Sequence, residues 1–366
     1  MIGWNHYNPV EIHAGLDCRK EIGYFLPNAG TALIVTTKGI QERGQLAELT
    51  RYLPLPYEVF TAEPEPDLDK LDTFYQQNKQ KVFHIIIALG GGSVIDSAKA
   101  LSCAFMQTEH EKPLHAWLRE KKPLPASALP LIAIPTTAGT GSEVTSFATI
   151  WDRQNMKKCS LSARACYPKV ALLDPYFTKT LPWKQTVYSA LDSFSHALES
   201  LWNKHATPIS LFYAKRSLQI VMNSLHYIEH DPYDMKNRYH LQEAAMAAGV
   251  AISQNHSSIS HSISYPLTLH YQAPHGLACS AFLLPILELV IKNNAFVLPL
   301  GEDFINGMHE FLTRYKPYIL IRKHCSLEEA QSKIDEMFTP ERAGTFVLNL
   351  SKEDVLAILK RGYELQ

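Results

Sequence analysis

The 366-residue sequence lacks a surplus of either charge, because its 35 lysines and arginines nearly cancel its 36 aspartates and glutamates. A balanced charge gives no electrostatic footprint for nucleic acid or an anionic membrane surface. The sequence also lacks an apolar run near the ~20 residues that span a bilayer. Its first residues, Met1–Pro9, do not have the basic-then-apolar layout of a secretion signal. We therefore expect a cytoplasmic protein with no nucleic-acid or membrane partner.

Cysteine is scarce, and none of the six cysteines forms a C-x-x-C pair. A chain of this length with so few cysteines is not a disulfide scaffold of the small secreted type, so we expect reduced thiols. Histidine is plentiful at 16 residues and is unevenly spread. At roughly 100–200 residues per domain, the length predicts two domains.

The first half of the chain alternates short apolar runs with helical patterns. The runs predicted as strands are Thr31–Thr37, Tyr57–Thr61, His84–Leu89, Leu131–Pro135 and Val170–Leu173. The intervening helices are predicted over Gln41–Tyr52 and Leu68–Asn78. Continuous apolar strands that alternate with helices are typical of a parallel sheet covered on both faces.

From Thr180 onward, apolar residues recur at the i, i+3, i+4 spacing of helices. The helices predicted there are Gln185–Trp202, Ile209–Glu229, Leu241–Ile252 and Ala281–Asn293. Because the pattern changes near Asp174–Pro182, we predict an α/β domain over residues 1–178 and a helical domain over residues 179–366.

A glycine turn follows one predicted strand, in the stretch HIIIALGGGSVIDSAKAL. The strand ends in Gly90, Gly91 and Gly92, Ser93 is predicted as a helix N-cap, and Asp96 has the spacing of a capping box. A strand, a glycine turn and a helix N-terminus together present free N–H groups to phosphate. The turn is neither G-x-G-x-x-G nor a P-loop, and a tight turn that binds nothing remains an alternative.

A second candidate loop, Pro135–Thr145, follows the strand LIAIP and reads PTTAGTGSEVT. If the strands before the two loops are neighbours, its hydroxyls and amides lie beside the glycine turn. Together the loops then favour a dinucleotide along the carboxyl ends of the strands. A polar surface connection is the alternative.

Asp192 and His196 are four residues apart in YSALDSFSHALES, so they share one face of a helix. His261 and His275 follow much later, and the sequence around His275, APHG, predicts a loop. Three imidazoles and one carboxylate suit Zn²⁺ or Fe²⁺ better than Mg²⁺ or Ca²⁺. Each histidine by itself is equally compatible with an ordinary core or surface position.

In their order and spacing, these motifs resemble those of the iron-containing (type III) alcohol dehydrogenase family. The resemblance runs from YNPVEIHAG through LGGGSVIDSAKAL, LDSFSHALES and APHGLACSAFLLP to LSKEDVLAILKRGYE, which is nearly the whole chain. It implies an α/β N-terminal dinucleotide-binding domain with a parallel sheet, followed by an all-α C-terminal metal-binding domain. This is the architecture of dehydroquinate synthase. Relatives commonly form homodimers, and we expect the same here.

The resemblance also implies a role for particular residues. The implied metal ligands are Asp192, His196, His261 and His275, with Fe²⁺ expected and Zn²⁺ as the alternative. The implied cofactor-binding residues are Gly90, Gly91, Gly92, Ser93, Asp96, Thr136, Thr137, Thr140, Gly141 and Ser142. The activity is that of an alcohol dehydrogenase or aldehyde reductase, in which a metal polarises the substrate oxygen and NAD or NADP carries the hydride.

Two positions depart from the family pattern. Where many members have a histidine four residues after the third ligand, this chain has Tyr265. The proton relay is therefore expected to use Tyr265, His270 or ordered water. Where many members have an acidic residue after the first strand, this chain has Thr37 followed by Lys38. These two residues are expected at the cofactor, and they leave the choice between NAD and NADP open.

The substrate is suggested by a narrower resemblance. The segment HSISYPLT, with the later His275-Gly276 pair, looks like a branch of the family that reduces phosphonoacetaldehyde. An anionic aldehyde needs a cation in the cleft, and Lys158 and Arg164 are candidates, although either is compatible with a solvated surface charge. Three alternatives remain: oxidation of the terminal alcohol of an acidic sugar, a metal- and NAD-dependent lyase or cyclase like dehydroquinate synthase, and a non-catalytic homologue.

Overall fold

The computed structural model describes residues 3–106, 110–338 and 340–366. The strands in these residues are β1 (Glu11–Ala14), β2 (Ala32–Thr36), β3 (Tyr57–Thr61), β4 (Ile85–Gly90), β5 (Leu131–Pro135), β6 (Phe147–Asp152), β7 (Lys157–Ser162) and β8 (Val170–Leu173). Six of them form one parallel sheet in the order β1-β8-β5-β4-β2-β3. The other two, β6 and β7, form an antiparallel hairpin beside it.

The parallel sheet is buried on both faces, because side chains alternate along each strand. Leu33 and Val35 of β2 pack with Ile86 of β4 in one apolar core. Their neighbours Ile34 and Ile87 pack in the other. These residues are fully buried, as the continuous apolar runs in the sequence predict.

Helices cover the sheet and then form the second half of the chain. Those associated with the sheet are α1 (Lys38–Glu42), α2 (Gln45–Thr50), α3 (Leu68–Asn78), α4 (Gly92–Met106) and α5 (Pro113–Leu118). Those that follow it are α6 (Trp183–Leu201), α7 (Pro208–His230), α8 (Met235–Asn255), α9 (Ile259–Tyr271), α10 (His275–Ser280), α11 (Leu283–Lys292), α12 (Glu302–Tyr315), α13 (Pro317–Leu320), α14 (Leu327–Gln331), α15 (Pro340–Ala343) and α16 (Lys352–Glu364). The later helices share a third apolar core.

The predicted fold class, a parallel α/β half followed by a helical half, is confirmed. The last strand of the sheet ends at Leu173 and α6 begins at Trp183, and the domain boundary between residues 178 and 179 stays a prediction within that interval. The predicted helix over Gln41–Tyr52 is wrong in one respect. It is two helices, because Gly44 adopts a left-handed conformation with φ 72° and breaks it.

One stretch of the helical half, His275–Lys292, is apolar and long enough by composition to cross a membrane. It is 72% buried inside the protein, however, and residues Ala281 and Phe282 divide it into α10 and α11. It therefore serves as part of the helical core, as its place in the third apolar core shows.

Candidate metal centre and cofactor edge

The four predicted metal ligands come from three helices that meet in the helical half. Asp192 and His196 lie on α6, His261 on α9 and His275 on α10. The prediction of a loop at His275 is wrong, since this residue begins α10. Helix α10 approaches α6 closely because Gly276 has no side chain: a Cβ there would lie 2.0 Å from the backbone oxygen of Tyr188.

The side chains of these residues converge on one carboxylate oxygen. Oδ1 of Asp192 lies 3.8 Å from Nε2 of His261, 3.8 Å from Nε2 of His275 and 4.0 Å from Nδ1 of His196. The ring of His196 stacks on that of His261, with 4.4 Å between centroids. Asp192, His196 and His261 are buried, while His275 is half-buried.

The polar atoms of this cluster are suited to a cation. Oδ1 of Asp192, Nδ1 of His196 and Nε2 of His261 are buried, and none of them has a hydrogen-bond partner in the described part of the chain. Each such atom costs about 1–3 kcal/mol, and most buried polar atoms in folded proteins are satisfied. A divalent metal ion would satisfy the carboxylate and the imidazoles at once, so the residues present fit the implied metal.

Protonation in the cluster also suits a metal. Burial would raise the pKa of Asp192, but His196, His275 and His261 hold it well below its usual range. Burial lowers the pKa of His196 to about 4 despite Asp192. Burial and then Lys158 lower the pKa of His275 well below its usual value. Ionised carboxylate and neutral imidazole are the forms that bind metals. His261 differs: burial would lower its pKa, but Cys279, Glu199 and Asp192 raise it well above its usual value, so a metal would have to displace a proton from this ring.

Glu199 was missed by the sequence analysis and supports the cluster from behind. It is fully buried on α6, and its carboxylate accepts hydrogen bonds from the backbone N–H groups of Ser258, Ser260 and His261 at 2.6–3.1 Å. Its Oε2 lies 2.6 Å from Nδ1 of His261. Burial would raise the pKa of Glu199, but His261 and the bonds from Ser258 and Ser260 lower it to about 2. The spacing of 192, 196 and 199 along one helix face is the signal that would have found it.

Cys279 is the second residue of the cluster that the sequence analysis missed. It is buried on α10, one turn after His275, and its Sγ lies 3.6 Å from both ring nitrogens of that histidine. The ligand atoms of Asp192, His261, His275 and Cys279 all lie within 4.8 Å of one another. A sulfur atom thus lies among the predicted donor atoms.

The two predicted cofactor loops are neighbours, as expected. Strand β4 pairs with β5 in parallel, with Gly90 opposite Pro135, and the N–H of Thr136 donates to the Gly90 carbonyl at 3.0 Å. Both loops therefore leave the same carboxyl edge of the sheet. This is the edge where open α/β sheets bind their ligands.

Glycines let the two loops touch. A Cβ at Gly91 would lie 3.1 Å from Oγ1 of Thr137, and one at Gly92 would lie 2.6 Å from Cγ2 of Thr140. Helix α4 begins at Gly92, and the N–H groups of Val94 and Ile95 donate to the Gly91 carbonyl at 3.0 and 3.1 Å, so the N–H groups of Gly92 and Ser93 are the donors left at its start. The edge therefore offers hydrogen-bond donors to an anionic group such as a pyrophosphate.

The predicted capping box at the glycine turn is wrong. Ser93 lies inside the first turn of α4. Its hydroxyl donates to the backbone carbonyl of Pro64, in the loop before α3. Asp96 instead accepts from the Ser142 hydroxyl at 2.6 Å and from the Thr149 N–H at 2.8 Å. Asp96 thus joins the glycine turn to the threonine-rich loop and to β6.

Lys99 adds a buried charge to this junction. It is fully buried, and its ammonium donates to Oγ of Ser142, Oγ1 of Thr145 and the carbonyl of Phe147 at 2.8–3.0 Å. Burial lowers the pKa of Lys99, although Asp96 opposes that effect. These three hydrogen bonds from Lys99 hold the loop that follows β5 in place.

The threonine-rich loop also packs directly on α6, which carries two of the predicted metal ligands, and on α8. A Cβ at Gly139 would lie 2.9 Å from the backbone oxygen of Ser189, three residues before Asp192 on α6. Gly141 has φ 61°, and a Cβ there would lie 2.4 Å from Cα of Gly249 on α8. The candidate cofactor edge and the candidate metal centre are therefore adjacent through backbone contact.

Thr37 and Lys38 lie at the carboxyl end of β2, which neighbours β4 in the sheet. Thr37 caps α1 by accepting from the N–H of Ile40 at 3.3 Å. The side chain of Lys38 is 83% exposed and lies 3.7 Å from Glu42. Lys38 is thus a solvated cation at the edge of the sheet.

Two cations flank Tyr265, which follows His261 by one turn of α9. Nζ of Lys158 lies 4.2 Å from the Tyr265 ring centroid, and Cζ of Arg342 lies 4.7 Å from it. Neither cation forms an ion pair with a carboxylate in the described ranges. Burial and then Arg342 lower the pKa of Lys158 to about 8. Arg342 lies far along the chain and was not predicted.

Two other predicted residues have their contacts elsewhere. Arg164 is exposed and lies over the ring of Tyr7, with 4.7 Å from its Cζ to the centroid. Nε2 of His270 lies 2.6 Å from Oε2 of Glu336. The described contacts thus bring Lys158 and Tyr265 together near the cluster, but not Arg164 or His270.

Family models and known proteins give an independent view of the chain. A family model described as iron-containing alcohol dehydrogenase matches residues 9–175. A second, for the C-terminal part of the Fe-containing alcohol dehydrogenase family, matches residues 186–296. The two matches include the cofactor loops and all four predicted metal ligands.

Among curated proteins, the chain is 30% identical over 291 residues to a choline dehydrogenase of Bacillus subtilis, covering 76% of this chain and 71% of that protein. It is 34% identical over 210 residues to a phosphonoacetaldehyde reductase of Streptomyces viridochromogenes, covering 56% and 52% respectively. The crystal structure of sulfoacetaldehyde reductase from Bifidobacterium kashiwanohense in complex with NAD+ has the same fold, with a TM-score of 0.87, 23% identity and coverage of 100% of both chains.

Proposed function

The chain belongs to the iron-containing alcohol dehydrogenase family, and on that premise we propose that it interconverts a short aldehyde with an anionic head group and the corresponding primary alcohol. Membership makes the chain an oxidoreductase of alcohols and aldehydes, which disfavours the lyase or cyclase alternative. The observation that carries the anionic substrate is the pair of cations, Lys158 and Arg342, on the ring of Tyr265 beside the metal-binding side chains.

The positions of the residues indicate which of them would bind the metal and which would bind the dinucleotide. Asp192, His196, His261 and His275 would hold the metal, and the glycine turn and threonine-rich loop would hold the dinucleotide. When bound, the metal polarises the carbonyl oxygen of the aldehyde and the nicotinamide supplies the hydride. The backbone contact between Gly139 and Ser189 sets the cofactor loop against the metal-bearing helix.

The proton for the alcohol product is assigned to Tyr265. Burial raises the pKa of this phenol despite Arg342, so it is protonated at neutral pH and acts as a donor rather than a base. It lies one helical turn from His261, on the side of the cluster where both cations lie. His270, the other residue considered, is engaged with Glu336.

The three similar proteins are named for substrates of different charge. Two are named for anionic aldehydes, phosphonoacetaldehyde and sulfoacetaldehyde. The third is named for choline, a cationic alcohol. This chain's own residues favour the anion. A cation such as choline would be repelled by Lys158 and Arg342, whereas a phosphonate or sulfonate would give them the partner they lack. An acidic sugar oxidised at its terminal alcohol would use the same two cations.

The cofactor is proposed to be NAD or NADP. Lys38 is exposed and could exchange its surface ion pair with Glu42 for a 2′-phosphate, and the position directly after β2 is Thr37 rather than a carboxylate that would repel one. We further propose that the protein works in the cytoplasm as a homodimer.

The test is an aldehyde panel with the metal-loaded full chain and either NADH or NADPH. Phosphonoacetaldehyde and sulfoacetaldehyde should be reduced with kcat/KM about tenfold or more above that of propanal, the neutral match, given about 1.5–3 kcal/mol for a charged hydrogen bond. Equal or better use of propanal would overturn the anionic substrate. Absence of turnover with any aldehyde, despite bound metal and cofactor, would overturn the proposed reaction.

A further inference from the structure

We infer that Cys279 is a sulfur ligand of the metal, which shifts the preference of this site from Fe²⁺ toward Zn²⁺. The inference rests on the proposed metal centre and adds a donor to it. Cys279 stands on the same helix as His275 and four residues later, so both side chains lie on one face of α10. Helices α6 and α9 bring the other donors to that face.

The donor atoms are close enough to reach one ion after small side-chain movements, because those of Asp192, His261, His275 and Cys279 all lie within 4.8 Å of one another. With metal–nitrogen and metal–sulfur distances of about 2.1 and 2.3 Å, tetrahedral coordination separates nitrogen and sulfur by about 3.6 Å. Sγ of Cys279 lies 3.6 Å from Nε2 of His275, which matches that spacing, but it lies equally far from Nδ1. A small rotation of either side chain is therefore needed to turn the lone pair of Nε2 and the sulfur toward the same ion. Oδ1 of Asp192 lies 3.8 Å from Nε2 of His261 and from Nε2 of His275, slightly wider than a closed tetrahedron.

Cys279 also has the burial that a ligand requires. The residue is fully buried, and Sγ lies 3.3 Å from Oγ of Ser264, so the sulfur is held between α10 and α9. None of the other five cysteines belongs to a group of metal-binding side chains in the described residues. His196 is not part of the group whose ligand atoms lie within 4.8 Å of one another, whereas Cys279 is.

The chemistry of a thiolate explains the change in preference. On binding, the thiol of Cys279 loses its proton to solvent and the metal takes its place on sulfur, with no change in oxidation state. Thiolate is a soft ligand and favours Zn²⁺ over Fe²⁺, whereas carboxylate and imidazole alone discriminate less. The substrate oxygen still requires a position on the metal, so one of the five candidate donors is expected to be replaced when it binds.

Cobalt substitution tests this directly. The full chain is loaded with one Co²⁺, and its absorption spectrum is compared between wild type, Cys279→Ser and the matched control Cys325→Ser. Cys325 is also buried in the helical half, where its thiol donates to the Ser326 carbonyl. The expected result is a sulfur-to-cobalt charge-transfer band in wild type and Cys325→Ser that is lost in Cys279→Ser. From an equimolar Zn²⁺ and Fe²⁺ mixture, Cys279→Ser should also retain a smaller share of zinc than wild type.

Several outcomes would overturn the inference. Wild type that binds one Co²⁺ without the band, or a band that persists in Cys279→Ser, overturns the sulfur ligand and leaves the proposed function standing. Failure of wild type to bind any metal overturns both. If Cys279→Ser does not fold, X-ray absorption of the zinc-loaded wild type replaces it: a sulfur neighbour at about 2.3 Å supports the inference, and a shell of only nitrogen and oxygen overturns it.

Discussion

Nδ1 of His261 lies 2.6 Å from Oε2 of Glu199, and both residues are buried. Because Glu199 is ionised, the proton between them belongs on Nδ1, and Nε2 is the ring nitrogen that faces Asp192. A carboxylate behind a ligating histidine fixes the orientation and the tautomer of the ring. Glu199 is therefore as much a part of the metal centre as the atoms that would touch the ion.

Replacing Glu199 with Gln should weaken metal binding about 10- to 100-fold, because the side chain keeps its shape but loses the charge that holds the Nδ1 proton. Competition with a calibrated chelator measures the change in Kd. Glu243→Gln, at a half-buried ion pair with Arg216 on the outside of α7 and α8, is the control and should bind metal as wild type does. Equal metal affinity in Glu199→Gln and wild type would contradict the assignment.

Gly92→Ala should weaken NADH binding, because the new Cβ would lie 2.6 Å from Cγ2 of Thr140 and push the two loops apart. Overpacking of this kind costs about 1–3 kcal/mol, which corresponds to roughly 5- to 150-fold in Kd. Fluorescence titration with NADH checks it. Gly301→Ala places its Cβ in open space and should leave Kd unchanged. Unaltered binding by Gly92→Ala would show that the cofactor lies elsewhere.

Lys158→Gln should lower kcat/KM for an anionic aldehyde about 10- to 100-fold and leave that for propanal nearly unchanged, since only the anion loses a charged partner. The ratio of the two specificities is the measurement. Lys157→Gln is the matched control, because neighbouring residues of β7 face opposite sides and Lys157 is exposed. An equal loss for both aldehydes would place Lys158 in a structural role.

Tyr265→Phe should lower kcat about a hundredfold while metal content stays the same, because the ring that carries Lys158 and Arg342 is kept and only the hydroxyl is removed. Steady-state kinetics and metal analysis of the same preparation separate the two effects. His270→Gln is expected to keep wild-type turnover. The reverse pattern would make His270 the proton donor.

Asp152→Asn should lower the free energy of unfolding by about 2 kcal/mol at neutral pH. Arg119 binds both oxygens of this buried carboxylate at 2.8 and 2.9 Å and lowers its pKa to about 2 from an unfolded value of 3.8. A lowered pKa stabilises the fold above about pH 4, and this contribution is lost as the pH falls toward 2. The difference in unfolding free energy between wild type and variant, measured in urea, should therefore narrow as the pH falls below 5 and close only near pH 2.

The matched control for that experiment is Asp335→Asn, because Asp335 pairs with Lys352 on the surface with its side chain 77% exposed. Exposed pairs contribute little to stability. We expect this variant to unfold as wild type does at each pH. A difference between wild type and Asp152→Asn that persists unchanged at pH 3 would assign the effect to packing rather than charge.

The strands of the sheet were predictable because continuous apolar runs have few other uses in a protein of this kind. Tyr57–Thr61, Leu131–Pro135 and Val170–Leu173 were predicted to the residue. The edge strand β1 and the hairpin β6–β7 were not, since their residues are mixed in polarity and only pairing with other segments makes them strands.

The residues of the candidate site also fall into those that a local sequence pattern reveals and those that it does not. Asp192 and His196 were found because their spacing is local, and Glu199 and Cys279 each lie within a turn of a predicted ligand, at spacings that the sequence also displays. Arg342 could not be predicted from the sequence, because the fold brings it to Tyr265 and no local pattern links the two residues. The failed capping box at Ser93 has a related cause: Asp96 is recruited by Ser142 and Thr149, which are remote in sequence.

Gly276 has a consequence for how such a centre changes over evolutionary time. A single methyl group at this position would sit 2.0 Å from the Tyr188 carbonyl, and it would have to separate the helix of His275 from the helix of Asp192. Donor atoms can be exchanged one by one, as a sulfur next to three imidazoles illustrates, and the protein can drift among metals and substrates. The distance between the two helices cannot change in such small steps, because any side chain at position 276 would clash with the Tyr188 carbonyl. We therefore expect Gly276 to be retained even in proteins in which the metal ligands around it have changed.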